Sequence, residues 1–305
     1  MTGMFVGVDL GGTKTEVIVL NGDSEELLRR RIATAASYQD ILAGVARLVN
    51  EAEQSFGVTG LPVGIGIPGS VSRVTGRVKN ANTQCLNGQP LPEDLRQLLG
   101  RPIPVVNDAN CLAVSEAIDG AGKGHGVVFA AILGTGCGAG IALDGRAMTG
   151  PNGLAGEWGH VPMPGVTDAQ RQQRPCFCGQ SGCVETFLSG TGLQQTYWQL
   201  CGRRETAAHI ARLAQQGDLA AQDCLAIYRD QLLDGLTMIV NIIDPDIIVL
   251  GGGVANIHSL YSYLNQSLSA RVFGGECHTR VVKACHGDSS GVRGAAWLNF
   301  KDKNI

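Results

Sequence analysis

Gly156-Glu157-Trp158-Gly159-His160, a fifteen-residue loop, then Cys176-Phe177-Cys178-Gly179-Gln180-Ser181-Gly182-Cys183-Val184-Glu185: this stretch organises the chain. Cys176, Cys178 and Cys183 with His160 supply three thiolates and one imidazole, the ligand set of a closed structural zinc site. Gly179 and Gly182 allow a backbone tight enough for three sulfurs to meet around one ion. Glu157 and Glu185 are not needed as ligands, yet they bracket the segment. A metal clip would hold both carboxylates in fixed positions, as a polar binding site requires. Three buried free cysteines beside a core histidine are the bland alternative, although cysteines this closely spaced among glycines make poor core. An oxidised pair would leave one thiol over. Four protein ligands leave no open position for zinc catalysis.

At 305 residues the chain can hold two domains with separate cores. Glycine is abundant at 43 residues, which suits tight turns and close backbone approaches. A formal charge of −3 and a pI near 6.1 give no electrostatic footprint for nucleic acid. An anionic ligand would therefore be gripped locally, by backbone amides and a metal ion. Met1 leads directly into an apolar strand without a signal-peptide pattern. Asn241, Asp244, Pro245 and Asp246 interrupt the longest apolar run, Leu236 to Leu250, so no membrane span is expected. Ten cysteines, mostly scattered, fit a reducing cytoplasm.

Apolar runs predict strands at Met4–Leu10, Glu16–Leu20 and Glu25–Ile32, and the spacing of apolar residues over Tyr38–Phe56 predicts a helix. The first turn, Asp9-Leu10-Gly11-Gly12-Thr13-Lys14, can present amides and a hydroxyl to phosphate, but lacks Walker spacing and equally suits an ordinary hairpin. Val63–Ile67 is a strand closed by Pro68-Gly69. Arg77–Gly88 is Asn-rich and reads as irregular, either a donor-rich wall for a sugar or a solvated loop. Pro92–Leu99 is a short helix. A strand over Ile103–Val106 runs into Asn107-Asp108-Ala109-Asn110 and a helix to about Asp119. A carboxylate at a strand's C-terminal end is a common catalytic placement; capping explains one such residue but not the cluster.

Gly126–Leu133 is a strand, Gly134-Thr135-Gly136-Cys137-Gly138-Ala139-Gly140 a second glycine turn, and Ile141–Asp144 a returning strand. Strand, glycine turn with threonine, and strand thus occur twice, a weak internal repeat. Helices are expected over roughly 190–200, 205–216 and 218–243. Asp246–Leu250 is a strand ending in Gly251-Gly252-Gly253, where a nucleotide can lie against backbone. Arg280–Ala284 is a strand and Gly291–Phe300 a closing helix.

In this order, Asp9 to Lys14, Asn107 to Asn110, Gly134 to Gly138, Glu157 to His160, Cys176 to Glu185 and Gly251 to Gly253 resemble the ROK family of bacterial sugar kinases. The resemblance implies an α/β, two-domain actin-like/hexokinase (ribonuclease H-like) fold with an interdomain cleft and a structural zinc site. The small domain would be 1–118 plus 288–305 and the large one 119–287. Val78 to Asn82, Leu86 to Pro90 and His286 to Ala296 resemble the fructokinase, or manno(fructo)kinase, branch. The implied reaction is ATP-dependent phosphorylation of fructose to fructose 6-phosphate, with N-acetylglucosamine, glucose and mannose as rival acceptors.

On that resemblance Asp108 is the general base, and Gly69, Asn82, Asn107, Glu157, His160 and Glu185 hold the sugar. Asp9 lies near Mg²⁺. Gly11, Gly12, Thr13, Lys14, Gly134, Thr135 and Gly136 line the phosphate path of ATP, and Gly252 and Gly253 lie by the adenosine. His160 would serve zinc through one ring nitrogen and sugar through the other. Ala139 departs from the glycine common in the family. The expected protein is cytoplasmic and homodimeric, with a hexose as partner. A sugar-responsive repressor of the same family would carry an N-terminal helix-turn-helix, for which the start at Asp9 leaves no room. An actin-like assembly ATPase would need neither zinc clip nor sugar-binding carboxylates.

Overall fold

The computed structural model describes residues 3–300. Strands β1 (Met4–Leu10), β2 (Lys14–Asn21) and β3 (Glu26–Ala33) lead to helix α1 (Tyr38–Ser55) and strand β4 (Val63–Ile67). Two short strands, β5 (Ser70–Val71) and β6 (Val78–Lys79), precede α2 (Leu91–Leu99), β7 (Val105–Asn107) and α3 (Asp108–Ile118). There follow β8 (Val127–Leu133), β9 (Cys137–Leu143), β10 (Arg146–Ala147), α4 (Asp168–Gln172), α5 (Glu185–Leu188), α6 (Gly190–Cys201), α7 (Ala207–Gln215) and α8 (Leu219–Ile243). Strand β11 (Ile247–Gly251), α9 (Ser259–Arg271), β12 (Arg280–Lys283) and α10 (Ser290–Trp297) close the described chain.

The chain divides into two compact units. One comprises Met1–Gly124, Ile141–Ala155 and Asp288–Ile305, the other His125–Gly140 and Gly156–Gly287. This differs from the sequence-based division in residues 119–124 and 141–155, which fall in the first unit. The reason is local: β10 packs on α3.

In the first sheet the order is β3-β2-β1-β4-β7. β1 pairs antiparallel with β2 and parallel with β4, while β7 adds parallel to β4. Strands β1, β2 and β4 are apolar runs and lie buried, as strands covered on both faces must. α1 starts at Ser37, whose side chain accepts the Asp40 N–H, and it buries Ile41, Leu42, Val45, Leu48, Val49 and Ala52. These pack with Val6, Val8, Ile65 and Ile67 in one core.

Val114, Val292, Ala296 and Trp297 pack with Ile18 and Leu20 in a second core, formed by α3, α10 and β2. Glycine makes this contact possible. A Cβ on Gly294 would lie 1.7 Å from the Cys111 carbonyl oxygen, and one on Gly7 would lie 2.1 Å from the Val292 oxygen. The helix pair is locked by Arg293, which pairs with Asp119 and donates to the Ser24 carbonyl at 2.8 Å.

The second sheet has the order β10-β9-β8-β11-β12, with β11 parallel to both β8 and β12. Strand for strand this repeats the first sheet, so the duplicated glycine-turn motif reflects a duplicated topology. α8, the longest helix, buries Cys224, Tyr228, Leu232, Leu233, Leu236 and Ile239. Among the described residues no helix is long and apolar enough to cross a membrane.

Candidate functional site

In the first unit the sequence-predicted residues gather at the C-terminal ends of β1, β4 and β7. Gly11 donates its N–H to the Lys14 carbonyl at 2.9 Å, closing the turn between β1 and β2. Gly12 and Thr13 are exposed, so the turn's backbone faces outward. Asp9 lies at the end of β1, its Oδ2 only 3.5 Å from where a Cβ of Gly291 would sit. Burial, then the charges of Asp108 and Glu16, push the Asp9 carboxyl from 3.8 up to about 6, against weaker pulls from Lys14 and Arg31. Cys111, one turn into α3, is pushed up by burial and by the same two aspartates, Asp9 and Asp108. The two carboxyls therefore share one neighbourhood.

Asn107 is the N-cap of α3: its Oδ1 accepts the Ala109 N–H at 2.9 Å and its Nδ2 donates to the Gly69 carbonyl at 3.2 Å. The capping role thus has an occupant beside Asp108, although Asp108 Oδ1 also accepts the Ala109 N–H at 2.8 Å. Gly69 is needed where it stands, because a Cβ there would be 2.8 Å from the Ala81 Cα. Asn82, exposed, is fixed through its N–H to the Pro68 carbonyl at 3.1 Å. The Asn-rich stretch is braced rather than loose. Asn87 bonds both backbone groups of Ala81, accepting from its N–H at 2.8 Å and donating to its carbonyl at 2.9 Å.

In the second unit, Glu157, His160, Glu185 and the turn between β8 and β9 are brought together by glycines. A Cβ on Gly159 would lie 2.0 Å from the Cys137 carbonyl oxygen, and one on Gly156 2.3 Å from that of Ala139. The 156–160 segment therefore lies directly on β9. Glu185 Oε2 accepts the Cys137 N–H at 3.0 Å and stands 2.8 Å from where a Gly136 Cβ would project. Glu157 is exposed, and among the described residues its carboxylate has no hydrogen-bond or ionic partner. Gly252 has φ +84°, and a Cβ there would meet the Leu133 carbonyl at 2.6 Å, so the end of β11 abuts the start of the glycine turn. Gly253 has open space at its Cα. Gly134 donates to the Gly136 carbonyl at 3.0 Å and accepts from the Gly190 N–H at 2.7 Å, while Thr191 Oγ1 donates to the Thr135 carbonyl at 2.9 Å.

His160, Cys176, Cys178 and Cys183 place four ligand atoms within 4.8 Å of one another. Cys176 Sγ lies 3.5 Å from His160 Nδ1, and Cys178 Sγ lies 3.6 Å from Cys183 Sγ. Tetrahedral zinc with bonds of about 2.3 Å to sulfur and about 2.0–2.1 Å to nitrogen spans edges of about 3.5 and 3.8 Å, so the cluster fits such an ion. Nδ1 faces the thiols, which leaves Nε2 as the ring nitrogen for another partner. Gly179 and Gly182 have φ of +90° and +76°, the conformations that fold the loop back on itself.

A family model described as the ROK family matches residues 5–302. The chain belongs to the ROK family. An N-acetyl-D-glucosamine kinase of Pectobacterium atrosepticum is 38% identical over 98% of this chain and 100% of that protein. Among solved structures, a ROK hexokinase from Thermus thermophilus superposes with a TM-score of 0.84 at 29% identity, covering 97% of each chain. A ROK family glucokinase from Streptomyces griseus, solved in complex with glucose and AMPPNP, gives 0.76 at 29% identity, covering 97% of this chain and 99% of that one.

For a ROK chain, the sequence reading overlooked groups that carry no signal in residue type. The Cys137 amide, which fixes Glu185, is backbone. Gly156 and Gly159 could have been found, as a Gly-x-x-Gly pair around an acidic residue. Arg174 reads as one more loop cation, yet it is 4% exposed. Burial lowers its pKa to about 10, so it remains a cation at neutral pH.

Proposed function

We propose that this protein transfers the γ-phosphoryl group of ATP to a hydroxyl of N-acetyl-D-glucosamine. The observation that carries the reading is the match, at 38% identity and full length, to an N-acetyl-D-glucosamine kinase. Fructose, expected from the stretches at 78–82, 86–90 and 286–296, finds no support among those relatives and gives way to the amino sugar.

In this reading Asp108 takes the proton of the attacking hydroxyl as that oxygen bonds to the γ-phosphorus. The bond from phosphorus to the bridging oxygen breaks, and ADP leaves with the electron pair. Gly69, Asn82 and Asn107 of the first unit, and Glu157, Glu185 and Nε2 of His160 in the second, are the groups assigned to the sugar. Hexoses present hydroxyls, for which fixed carboxylates and amides are the fitting partners. With the Gly11 and Gly134 amides bonded within their turns, Gly12, Thr13, Thr135 and Gly136 are the backbone N–H groups for phosphate, and Gly252 and Gly253 offer a flat wall to the base. Asp9, an anion destabilised by burial and by Asp108, suits a divalent cation; Mg²⁺ there would offset phosphate charge. Zn²⁺ in the thiol–imidazole cluster would hold the loop between His160 and Glu185 in shape.

A coupled assay with ATP, Mg²⁺ and a panel of N-acetylglucosamine, glucose, mannose and fructose tests this. N-acetylglucosamine should show the highest kcat/KM. A panel led by fructose would restore the branch first read from the sequence, and one with no turnover would end the kinase reading.

A further inference from the structure

We propose that Arg174 is a positioning residue for the sugar, setting the Glu185 carboxylate through the backbone of α5; this rests on the hexose kinase reading above. α5 is four residues long and begins at Glu185; the Ser189 N–H closes back on the Glu185 carbonyl at 3.2 Å, whereas the Thr186 and Leu188 carbonyls receive no donor from a continuing helix. Two buried donors from elsewhere terminate it. Tyr228 donates its hydroxyl to the Leu188 carbonyl at 2.7 Å, and Arg174 Nη1 donates to the Thr186 carbonyl at 2.8 Å.

The rest of the guanidinium is equally committed. Nη1 also donates to the Gly192 carbonyl at 3.1 Å, and Nη2 donates to Thr196 Oγ1 at 2.9 Å and Gln199 Oε1 at 2.7 Å. Its carbon centre stands 4.8 Å over the Phe187 ring. Among the described residues no carboxylate pairs with it, so a whole charge has been taken out of water to hold neutral carbonyls. Stability alone is a weak reason for that arrangement, because an apolar residue of similar volume is often no worse. What the fork supplies is geometry, since it fixes α5 and α6 against one rigid plane.

The same residue is fastened to the cysteine loop. The Arg174 carbonyl accepts the Gly182 N–H at 2.8 Å, immediately before Cys183. Thr186 in turn bonds the Cys183 carbonyl through its hydroxyl at 2.7 Å and through its N–H at 2.9 Å. Glu185 is thus held from two sides, by the Cys137 N–H at its tip and by Arg174 acting on the next residue's carbonyl. The cysteine cluster fixes where the loop is; Arg174 fixes how α5 departs from it.

The test replaces Arg174 by Met, which keeps the stem and removes the fork, and by Lys, which keeps the charge with a single donor point. Initial rates with hexose and ATP varied separately, and metal per chain, are measured for each. Arg174→Met should raise KM for the hexose about tenfold or more, since a charge-assisted hydrogen bond is lost. KM for ATP and the metal content should stay within about twofold of the wild type, with Arg174→Lys between the two. Should Arg174→Met not fold, the pair Thr196→Val/Gln199→Ala frees only Nη2 and should raise the hexose KM by a smaller factor in the same direction. The inference is overturned if the hexose KM is unchanged in the folded variants, or if it rises only together with the ATP KM and loss of metal. A wild type without hexose turnover defeats the kinase reading and this one with it; an active wild type beside an unaffected variant defeats this one alone.

Discussion

Asp9 carries the clearest electrostatic signature in the first unit, and removing its charge has a calculable consequence. Its carboxyl is raised from 3.8 to about 6, chiefly by burial and then by the neighbouring Asp108. At about 1.4 kcal/mol for each tenfold in proton affinity, this amounts to about 3 kcal/mol. Because the folded pKa is the higher one, the folded protein binds the proton more tightly than the unfolded chain. That contribution is complete below pH 3.8 and lost as the pH rises through 6. At pH 8, with no divalent metal, the ionised carboxylate is therefore a liability of up to about 3 kcal/mol. Asp9→Asn removes the charge and keeps the shape, so at pH 8 in chelator it should raise Tm by roughly 6–12 °C. The gain should shrink as the pH falls through 6 and vanish near pH 4. The same variant should lose stabilisation by Mg²⁺ with ATP, because the cation no longer has its carboxylate. Thermal melts of both proteins from pH 4 to 8, with and without Mg²⁺ and nucleotide, give the answer. An offset between the two that stays constant across the range would refute the reasoning, since a group that does not titrate there cannot cause it.

Other perturbations separate the remaining roles. Asp108→Asn should lower kcat by about 10²–10⁴-fold with little change in stability, because Asn107 keeps the α3 cap; a fall under tenfold would leave Asp108 without a catalytic role. Gly136→Ala should raise the hexose KM several-fold, since its Cβ would stand 2.8 Å from Glu185 Oε2 and displace the carboxylate from the Cys137 N–H; an unchanged KM would detach Glu185 from the sugar. Cys178→Ser should lower metal per chain, Tm and hexose affinity together, and metal analysis of active wild type finding no zinc would defeat that reading.

Most elements could be read from the sequence because their signals are local. The apolar runs of β1, β4, β8 and β11, and the helical spacing of α1 and α8, are visible without tertiary knowledge. The glycine turns, Asn107-Asp108 and the cysteine segment were likewise legible. What escaped depends on contacts distant in sequence. The β5–β6 pair lies in a polar stretch whose scattered apolar residues, Val78, Ala81 and Leu86, join the core without a readable period, while Asn87 holds the backbone of Ala81. α5 is too short to show a period, and its end is set by Arg174 and Tyr228, each more than ten residues away. Residues 141–155 looked continuous with what precedes them, while β10 packs on α3. Substrate choice escaped for a different reason: Lys79 to Asn82 suggested a fructokinase branch, whereas specificity rests on where hydroxyls meet side chains.

The repeat of sheet order explains why residues so far apart in the chain fall into parallel positions. In each sheet the first two strands meet at a glycine turn, Gly11-Gly12-Thr13 in one and Gly134-Thr135-Gly136 in the other. In each, glycine also closes the fourth strand: Pro68-Gly69 follows β4, and β11 runs out at Gly251 into Gly252. Both of these glycines are demanded by close approach, Gly69 to Ala81 and Gly252 to Leu133. The two copies diverge in what they approach. Gly69 anchors Asn107 and hence the start of α3 with its aspartate, whereas Gly252 abuts the second glycine turn. One backbone device thus recurs at the C-terminal ends of parallel strands, where open α/β sheets present their ligand groups; in the proposed kinase reading it would serve acceptor chemistry in the first unit and nucleotide contact in the second. Only the first copy acquired a carboxylate at the end of its fifth strand, Asp108 after β7; β12 leads instead into Ala284-Cys285-His286. A single carboxylate, in a single copy, is what the proposed transfer, with one proton to remove, would require.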